Sequence, residues 1–435
     1  MDILFNDIIV ITMDDKQPVL TRGYVGITGD KISYVSTTPP AETAARVING
    51  SRRLVMPGLI NSHSHLPMAL LRGYADDYNL QEWLFNHVLP AEGKLDERSV
   101  AAGIRLALAE CIRFGVISCS DMYFHLPQIA EAVVDSGMKA NITNPLLCLD
   151  MNSFDFEKDR GTIELRDILC RYRGIAGGRL KVDAGIHGEY TSAPAAWKEC
   201  LAFACENDLR FQIHLSETKT EHEECLQRYG KTPAEILHDH GVFSRKTTAA
   251  HCCWINETDM DILAADSVTV AHCPVSNLKL SAGIAPVIMM QNHGLNVALG
   301  TDGVCSNNNH DLFEEIKTAA LLQKAVTGDP SVLGAYESLK LATVNGALGQ
   351  GREHETGRII SGFDADLIML DMDSPHLFPV NDPCAAVAYA ARGSDVCLTM
   401  VQGRILYENG GYTSIDLEKV RYEVEHYVLP RLKKG

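Results

Sequence analysis

With 435 residues, 46% of them hydrophobic and 22% charged, the chain has the make-up of a globular protein, long enough for two domains or one large barrel with additions. Its formal charge of −17 argues against nucleic acid or an anionic membrane as the main partner, since both demand a basic footprint. No apolar run approaches the roughly 18–20 residues of a spanning helix, and Asp2 and Asp7 stand where a secretory leader would be positive.

The first 55 residues read as short strands at 8–12, 24–28 and 31–35, with Gly29-Asp30 as the tight turn between the last two. The middle, 57–356, alternates β-like apolar runs with helical patterns. In the helix expected at 97–113, Val100, Ile104, Ala107, Leu108, Cys111 and Ile112 share one face, and Gly115 is placed to stop it. Eight candidate strands follow this rhythm, at 59–62, 116–120, 140–143, 180–185, 210–215, 247–251, 268–272 and 296–301. Repeated βα units of this kind predict an α/β fold, a TIM-type (β/α)8 barrel. An open doubly wound sheet is the alternative, but its glycine-rich phosphate turn is missing after the first strand.

Near the far end, 357–360, 365–370, 396–402 and 404–407 again read as short β segments. The two flanks, 1–56 and 357–435, are therefore expected to form one small β-sandwich domain with a C-terminal helix. Thirteen cysteines contain no C-x-x-C pair; Cys111, Cys119 and Cys200 read as buried small hydrophobes and Cys252-Cys253 as strand residues, which suits a reducing cytoplasm.

In a barrel, reactive groups gather where strands end. The first strand runs into His63-Ser-His65, two imidazoles that an extended chain directs to one side. The fifth ends in His214 with Glu217 three residues on, the sixth in His251, the eighth in Asp302-Gly. Singly, each has an ordinary explanation: His251 as a satisfied core histidine, Asp302 as a turn residue, Glu217 as a helix-opening acid. Recurrence of metal-competent groups at the same point of four repeats favours a metal site.

These motifs, with P-G-L-I-N-S-H-S-H at 57–65, H-L-S-E-T at 214–218, C-P-V-S-N-L-K-L at 273–280 and L-G-T-D-G at 299–303, resemble the amidohydrolase superfamily. L-L-R-G at 70–73, E-W-L-F at 82–85, S-N-N at 306–308 and D-A-D-L at 364–367 point within it to the methylthioadenosine/S-adenosylhomocysteine deaminase group. The resemblance covers nearly the whole chain. It implies that His63, His65, His214 and Asp302 hold the metal. That is a donor set suited to Zn²⁺, which iron(II) or manganese can also use. The fourth strand ends Ala184-Gly-Ile-His187, without the lysine that bridges two metals in some members, so one metal is expected.

The implied reaction is hydrolytic deamination of adenosine derivatives. Metal-activated water attacks the amine-bearing C6, Asp302 takes its proton, His251 stabilises the attacking oxygen, and Glu217 protonates ring N1. By resemblance, Glu92 binds the ribose hydroxyls, Trp83 packs over the substrate, and His187 and Ser306 contact it. Two departures concern the 5′ tail. Asn144 stands where the family often has an arginine, with Arg160 a poorly aligned second candidate. Around the fourth strand, His187-Gly-Glu189-Tyr190-Thr191 replaces a proline-containing segment. A lost arginine and a gained glutamate weaken the case for a carboxylate-bearing tail. Methylthioadenosine, 5′-deoxyadenosine and adenosine are favoured over S-adenosylhomocysteine. Rival readings are an aminohydrolase of guanine, pterin, cytosine or triazine rings, or a non-catalytic metal scaffold. The resemblance also implies a homo-oligomer, dimer or tetramer, whose partner in function is a small nucleoside.

Overall fold

The computed structural model describes residues 1–433 apart from 149, 151–153 and 173. Its centre is a ring of eight parallel strand positions whose residues are nearly all buried, so that each strand must be covered inside and out. Leu59–Ser64, Val116–Met122, Lys139–Thr143 and Leu180–Val182 pair in that order. Ala184–Gly185, Phe211–Leu215, Thr247–His251, Thr269–His272 and Asn296–Leu299 continue the sequence. The fourth strand is thus interrupted at Asp183: its first half pairs with the third strand and its last two residues with the fifth.

Between the eighth strand and the first, the Asp302 amide donates to the His63 carbonyl at 3.0 Å, and the Thr301 amide to Asn61 Oδ1 at 3.0 Å. The seam therefore lies at the rim where the two strands deliver their functional side chains.

The helix Glu97–Arg113 matches the expected span; Asp96 caps its start by accepting from the Ser99 amide at 2.9 Å. Gly115 ends it at φ +79°, and a Cβ there would meet Ile368 at 2.9 Å, so the turn and the close approach both require glycine. No helix among the described residues is long and apolar enough to cross a membrane.

Ile368 belongs to the other part of the molecule. Strands from both chain ends join in one hydrogen-bonded sheet: Gly411–Tyr412, Arg404–Glu408, Val396–Val401, Leu367–Asp371, Arg53–Pro57, Ile3–Ile11, Val19–Thr28 and Lys31–Ser36, with Arg46–Asn49 also on Ile3–Ile11. The ends meet where Leu367–Asp371 runs antiparallel to Arg53–Pro57. Phe5, Ile8, Val25, Leu367, Leu398 and Met400 belong to a second core on this sheet, and the C-terminal helical segment spans Leu417–Glu423 to Leu429–Leu432.

Two local expectations fail. The segment 357–360 is not a strand: Gly357 turns at φ +85°, and only the Ile359 amide reaches across, to the Thr12 carbonyl at 2.8 Å. Cys252 and Cys253 lie just past the sixth strand in a turn, with Cys252 at φ +52°. An apolar run cannot register where the strand stops and the rim begins.

Candidate active site

At the C-terminal rim the strand ends converge. His65 Nε2 lies 3.3 Å from both His214 Nε2 and Asp302 Oδ1, and His63 Nε2 lies 3.6 Å from the same carboxylate oxygen. His63 and His65 do not stand side by side; their rings are 4.9 Å apart and nearly perpendicular, because His63 is the last but one residue of its strand and His65 lies just beyond.

The tautomers of two rings follow from their backbone partners. His65 Nδ1 donates to the Met122 carbonyl at 2.5 Å and His214 Nδ1 to the His187 carbonyl at 2.6 Å. Both Nε2 atoms therefore present lone pairs to each other at 3.3 Å, an arrangement that repels unless a cation lies between them. His63 Nε2 is buried with no hydrogen-bond partner. Donor separations of 3.3–3.6 Å match a tetrahedral ion bound at about 2.0–2.1 Å. The four residues therefore fit a divalent metal.

Burial pushes His63 down to about 4 and takes His65 and His214 below the usual imidazole range, so all three are neutral ligands at pH 7. Burial alone would raise Asp302, but the His63, His65 and His251 rings around it hold its carboxyl well below the ordinary value. The Ser276 and Ser306 hydroxyls donate to Asp302 Oδ2 at 2.6 and 3.0 Å, leaving Oδ1 toward the histidines. Ser306 is buried and does not line the pocket; its hydroxyl lies 3.0 Å from both Asp302 Oδ2 and the Gly303 carbonyl, behind the residues that do.

His251 stands at φ +71° at the end of the sixth strand. Its Nδ1 donates to Asn277 Oδ1 at 2.8 Å, which turns Nε2 into the pocket, 3.8 Å from Glu217 Oε2. Burial, and then the charge of Asp302, push the Glu217 carboxyl well above its ordinary value, which favours its protonated form. His187 lines the same pocket; its ring centre is 4.7 Å from that of His214, and burial lowers it to about 3.

The outer wall is apolar, with Met68, Leu84, Leu89, Phe124 and Leu280 around it. Three buried polar atoms on this wall make no well-formed hydrogen bond: Trp83 Nε1, and Glu92 Oε1 and the Tyr123 hydroxyl, which neighbour each other. Burial pushes Glu92 up to about 7, opposed by the neighbouring Tyr123 hydroxyl. Beyond Glu92, Tyr123, Phe124 and Leu147 a second chamber opens, lined by Asn144, Arg160, Glu97 and Glu164. Arg160 is already engaged there, with Glu164 at 2.8 Å, Glu97 at 3.2 Å and His125 at 2.9 Å, while Asn144 Nδ2 donates to Glu164 at 3.3 Å.

Glu189 does not belong to either chamber. It is buried, and both its oxygens accept from Arg228 Nη2, at 2.9 and 2.7 Å, so it does not bear on the 5′ tail. Lys139 and Lys181, the lysines of the third and fourth strands, sit toward the opposite end of the barrel, on Asp364 with Asp366 and on Glu355, away from the histidines.

Sequence reasoning assigned no role to Ser276, Asn277 or Tyr123. The first two lie inside C-P-V-S-N-L-K-L, but their partners are 26 residues away and nothing local marks them. Tyr123, next after the second strand, is signalled only by its place on the rim.

The chain belongs to the amidohydrolase family, whose model matches residues 54–406. Two relatives narrow the comparison. The 5-methylthioadenosine/S-adenosylhomocysteine deaminase of Thermoanaerobacter pseudethanolicus is 40% identical over 98% of each chain. The 5′-deoxyadenosine deaminase of Methanosarcina acetivorans is 41% identical over 96% of each. Among solved structures, an adenosine deaminase from Xanthomonas campestris with bound zinc superposes with a TM-score of 0.93 at 28% identity, covering 100% of this chain and 99% of that one.

Proposed function

We propose that this protein is a zinc-dependent deaminase that hydrolyses the exocyclic amine of adenosine derivatives, giving the inosine analogue and ammonia. The observation that carries the reading is a buried Glu217 sharing one apolar pocket with the convergence of His63, His65, His214 and Asp302, whose facing donor atoms lie 3.3–3.6 Å apart. The activities named for relatives about 40% identical along almost the whole chain support it.

Zinc held by those four residues supplies a Lewis acid that makes water nucleophilic at neutral pH. Glu217 holds its proton for purine N1, so the ring gains a hydrogen as C6 is attacked and no negative charge accumulates on it. Asp302, braced by Ser276 and Ser306, accepts the proton of the attacking water. His251, turned by Asn277, offers Nε2 to the same oxygen. Leu84, Phe124 and Leu280 exclude bulk water around the purine. Glu92 accepts from the ribose hydroxyls, with Trp83 Nε1 aimed into the same wall, and His187 closes the side next to His214.

Arg160 already pairs with Glu164 through Nε and with Glu97 through Nη2, which weakens it as a partner for a carboxylate and favours uncharged 5′ groups such as those of methylthioadenosine, 5′-deoxyadenosine or adenosine. We further infer that 1–56 and 357–435 form a composite β unit beside the barrel at 57–356, a reading supported by the second core on their shared sheet.

The test is loss of the adenine absorbance with ammonia release on zinc-loaded protein, across 5′-modified adenosines, guanine, cytosine and triazines. Faster turnover of a non-adenine ring overturns the substrate class. A large preference for S-adenosylhomocysteine overturns the tail reading alone.

A further inference from the structure

We propose that Glu221 is a positioning residue that sets the direction in which Glu217 enters the pocket. The inference rests on Glu217 as the proton donor of the proposed reaction.

The fifth barrel strand stops at Leu215, and Ser216 turns the chain at φ +46°, a left-handed conformation that costs an ordinary residue about 1–2 kcal/mol. Such a turn persists only where its surroundings over-determine it. Here the Glu221 carboxylate supplies that constraint: Oε1 accepts from the Ser216 amide at 2.9 Å and Oε2 from the Glu217 amide at 2.8 Å. Three further bonds hold the same loop. The Ser216 carbonyl accepts from the Trp254 amide at 3.1 Å, the Leu215 carbonyl from the Cys252 amide at 3.0 Å, and Ser216 Oγ is 3.1 Å from His222 Nδ1.

Glu221 is the third residue of the helix Lys219–Tyr229, whose cap is Thr218; the Thr218 hydroxyl accepts from the Glu221 amide at 3.1 Å. A third-position glutamate usually reaches back to the amide of the capping residue itself. Glu221 reaches one and two residues further, to the two amides that define the turn before Glu217. The helix therefore anchors the loop as well as beginning after it.

The arrangement calls for two acceptor oxygens on one side chain: burial, and then Glu217, push Glu221 up to about 8, while the Glu217 and Ser216 amides act the other way, toward the charged form. Glu221 is 4% exposed, and the nearby guanidinium of Arg228 is committed to Glu189 rather than to Glu221. Both amides need an acceptor, and the two Glu221 oxygens supply one to each. A glutamine accepts one amide and sets its own NH2 against the other. An aspartate is one methylene too short to span both. Glu217 gains no side-chain anchor of comparable strength, since the nearest side-chain nitrogen facing it, His251 Nε2, is 3.8 Å away. Its aim is thus inherited from the backbone at 216–217.

The test compares E221Q, E217Q and the double variant E217Q/E221Q, each zinc-loaded and normalised to metal content. E221Q is expected to lower kcat about 10–100-fold while KM for methylthioadenosine changes less than about threefold, because Glu92, Trp83 and His187 are untouched. In the E217Q background the second substitution is expected to cost less than about twofold, since a residue acting only through Glu217 has nothing left to aim. Amide exchange at Ser216 and Glu217 is expected to speed up in E221Q by at least tenfold over the rest of the rim. Unchanged kcat in E221Q, or losses that multiply in the double variant, overturns the proposal. Should E221Q not fold, exchange in the wild-type protein decides: strong protection of both amides supports the clasp, and free exchange of either overturns it. Absence of deamination by the wild type for every nucleoside would instead sink the functional reading, while the exchange measurement would still report on the clasp.

Discussion

The two ends of the barrel bury charge in opposite ways. On the side away from the histidines, Lys139 is fully buried between Asp364 at 2.6 Å and Asp366 at 2.5 Å, and Arg352 donates to the carbonyls of Ala140, Gly178 and Arg179. Burial would raise Asp364, yet Lys139 beside it holds it below the ordinary range. At the rim, Glu217 and the histidines are buried without a countercharge for each. Burial wins there, lowering His63, His65 and His214 and raising Glu217, and His63 Nε2, Trp83 Nε1 and Glu92 Oε1 are left without partners. Paired charge at one end joins the barrel to the sheet of the chain ends, although Arg352 Nε and Arg179 Nε are unpartnered there too; at the other end the unpartnered Trp83 and Glu92 atoms belong to residues that line one pocket.

Substitutions should separate the two ends cleanly. Glu217→Gln is expected to lower kcat about 10²–10⁴-fold, the contribution of a positioned general acid. Its melting temperature should hold or rise, because a buried acid with little pairing is replaced. Near-normal turnover with metal retained would end the comparison. Lys139→Met should do the reverse, costing about 3–5 kcal/mol by leaving Asp364 and Asp366 without their cation. Denaturant titration reads this, while kcat per folded molecule stays unchanged.

A smaller effect belongs to the rim's supporting residues. Asn277→Ala frees the His251 ring and is expected to reduce kcat/KM on the order of tenfold, with zinc content unaltered. Equal activity in the variant would show that His251 needs no orienting partner.

The smallest expected change is one of pH. Glu92 keeps its proton up to about 7 when folded, whereas an unfolded glutamate loses it near 4.5. Between those values the unfolded chain binds fewer protons, so stability falls as pH rises, and the loss levels off above about 7. Glu92→Gln removes that slope. Its melting temperature should change less between pH 5 and pH 8 than the wild type's, as about one pH-dependent proton is lost, and its KM for nucleosides should rise. A wild-type slope retained in the variant would assign the titration elsewhere.

Much of this architecture was legible before any tertiary contact was known. All eight barrel strands fall where β-like runs were read, because strands buried on both faces carry their signal locally. The helix at 97–113 and the turn at Gly29 follow from equally local rules. His63, His65, His214, Glu217, His251 and Asp302 could be collected from sequence because a barrel brings every strand end to one rim, whatever the spacing between them.

What the chain could not display alone are the pairings made across that rim. No neighbour along the chain shows that the Ser306 hydroxyl lies against Asp302, or that Arg228 takes both oxygens of Glu189. Gly357 reads as a strand residue until its left-handed turn is seen. The sequence by itself determined the barrel period and the kinds of donor at each strand end, both set by neighbours along the chain. Only the tertiary structure decided which nitrogen of each histidine faces the centre, which carboxyls keep their protons, and which polar atoms remain unpaired. Those depend on burial and on partners tens to hundreds of residues away, and exist only once the ring is closed.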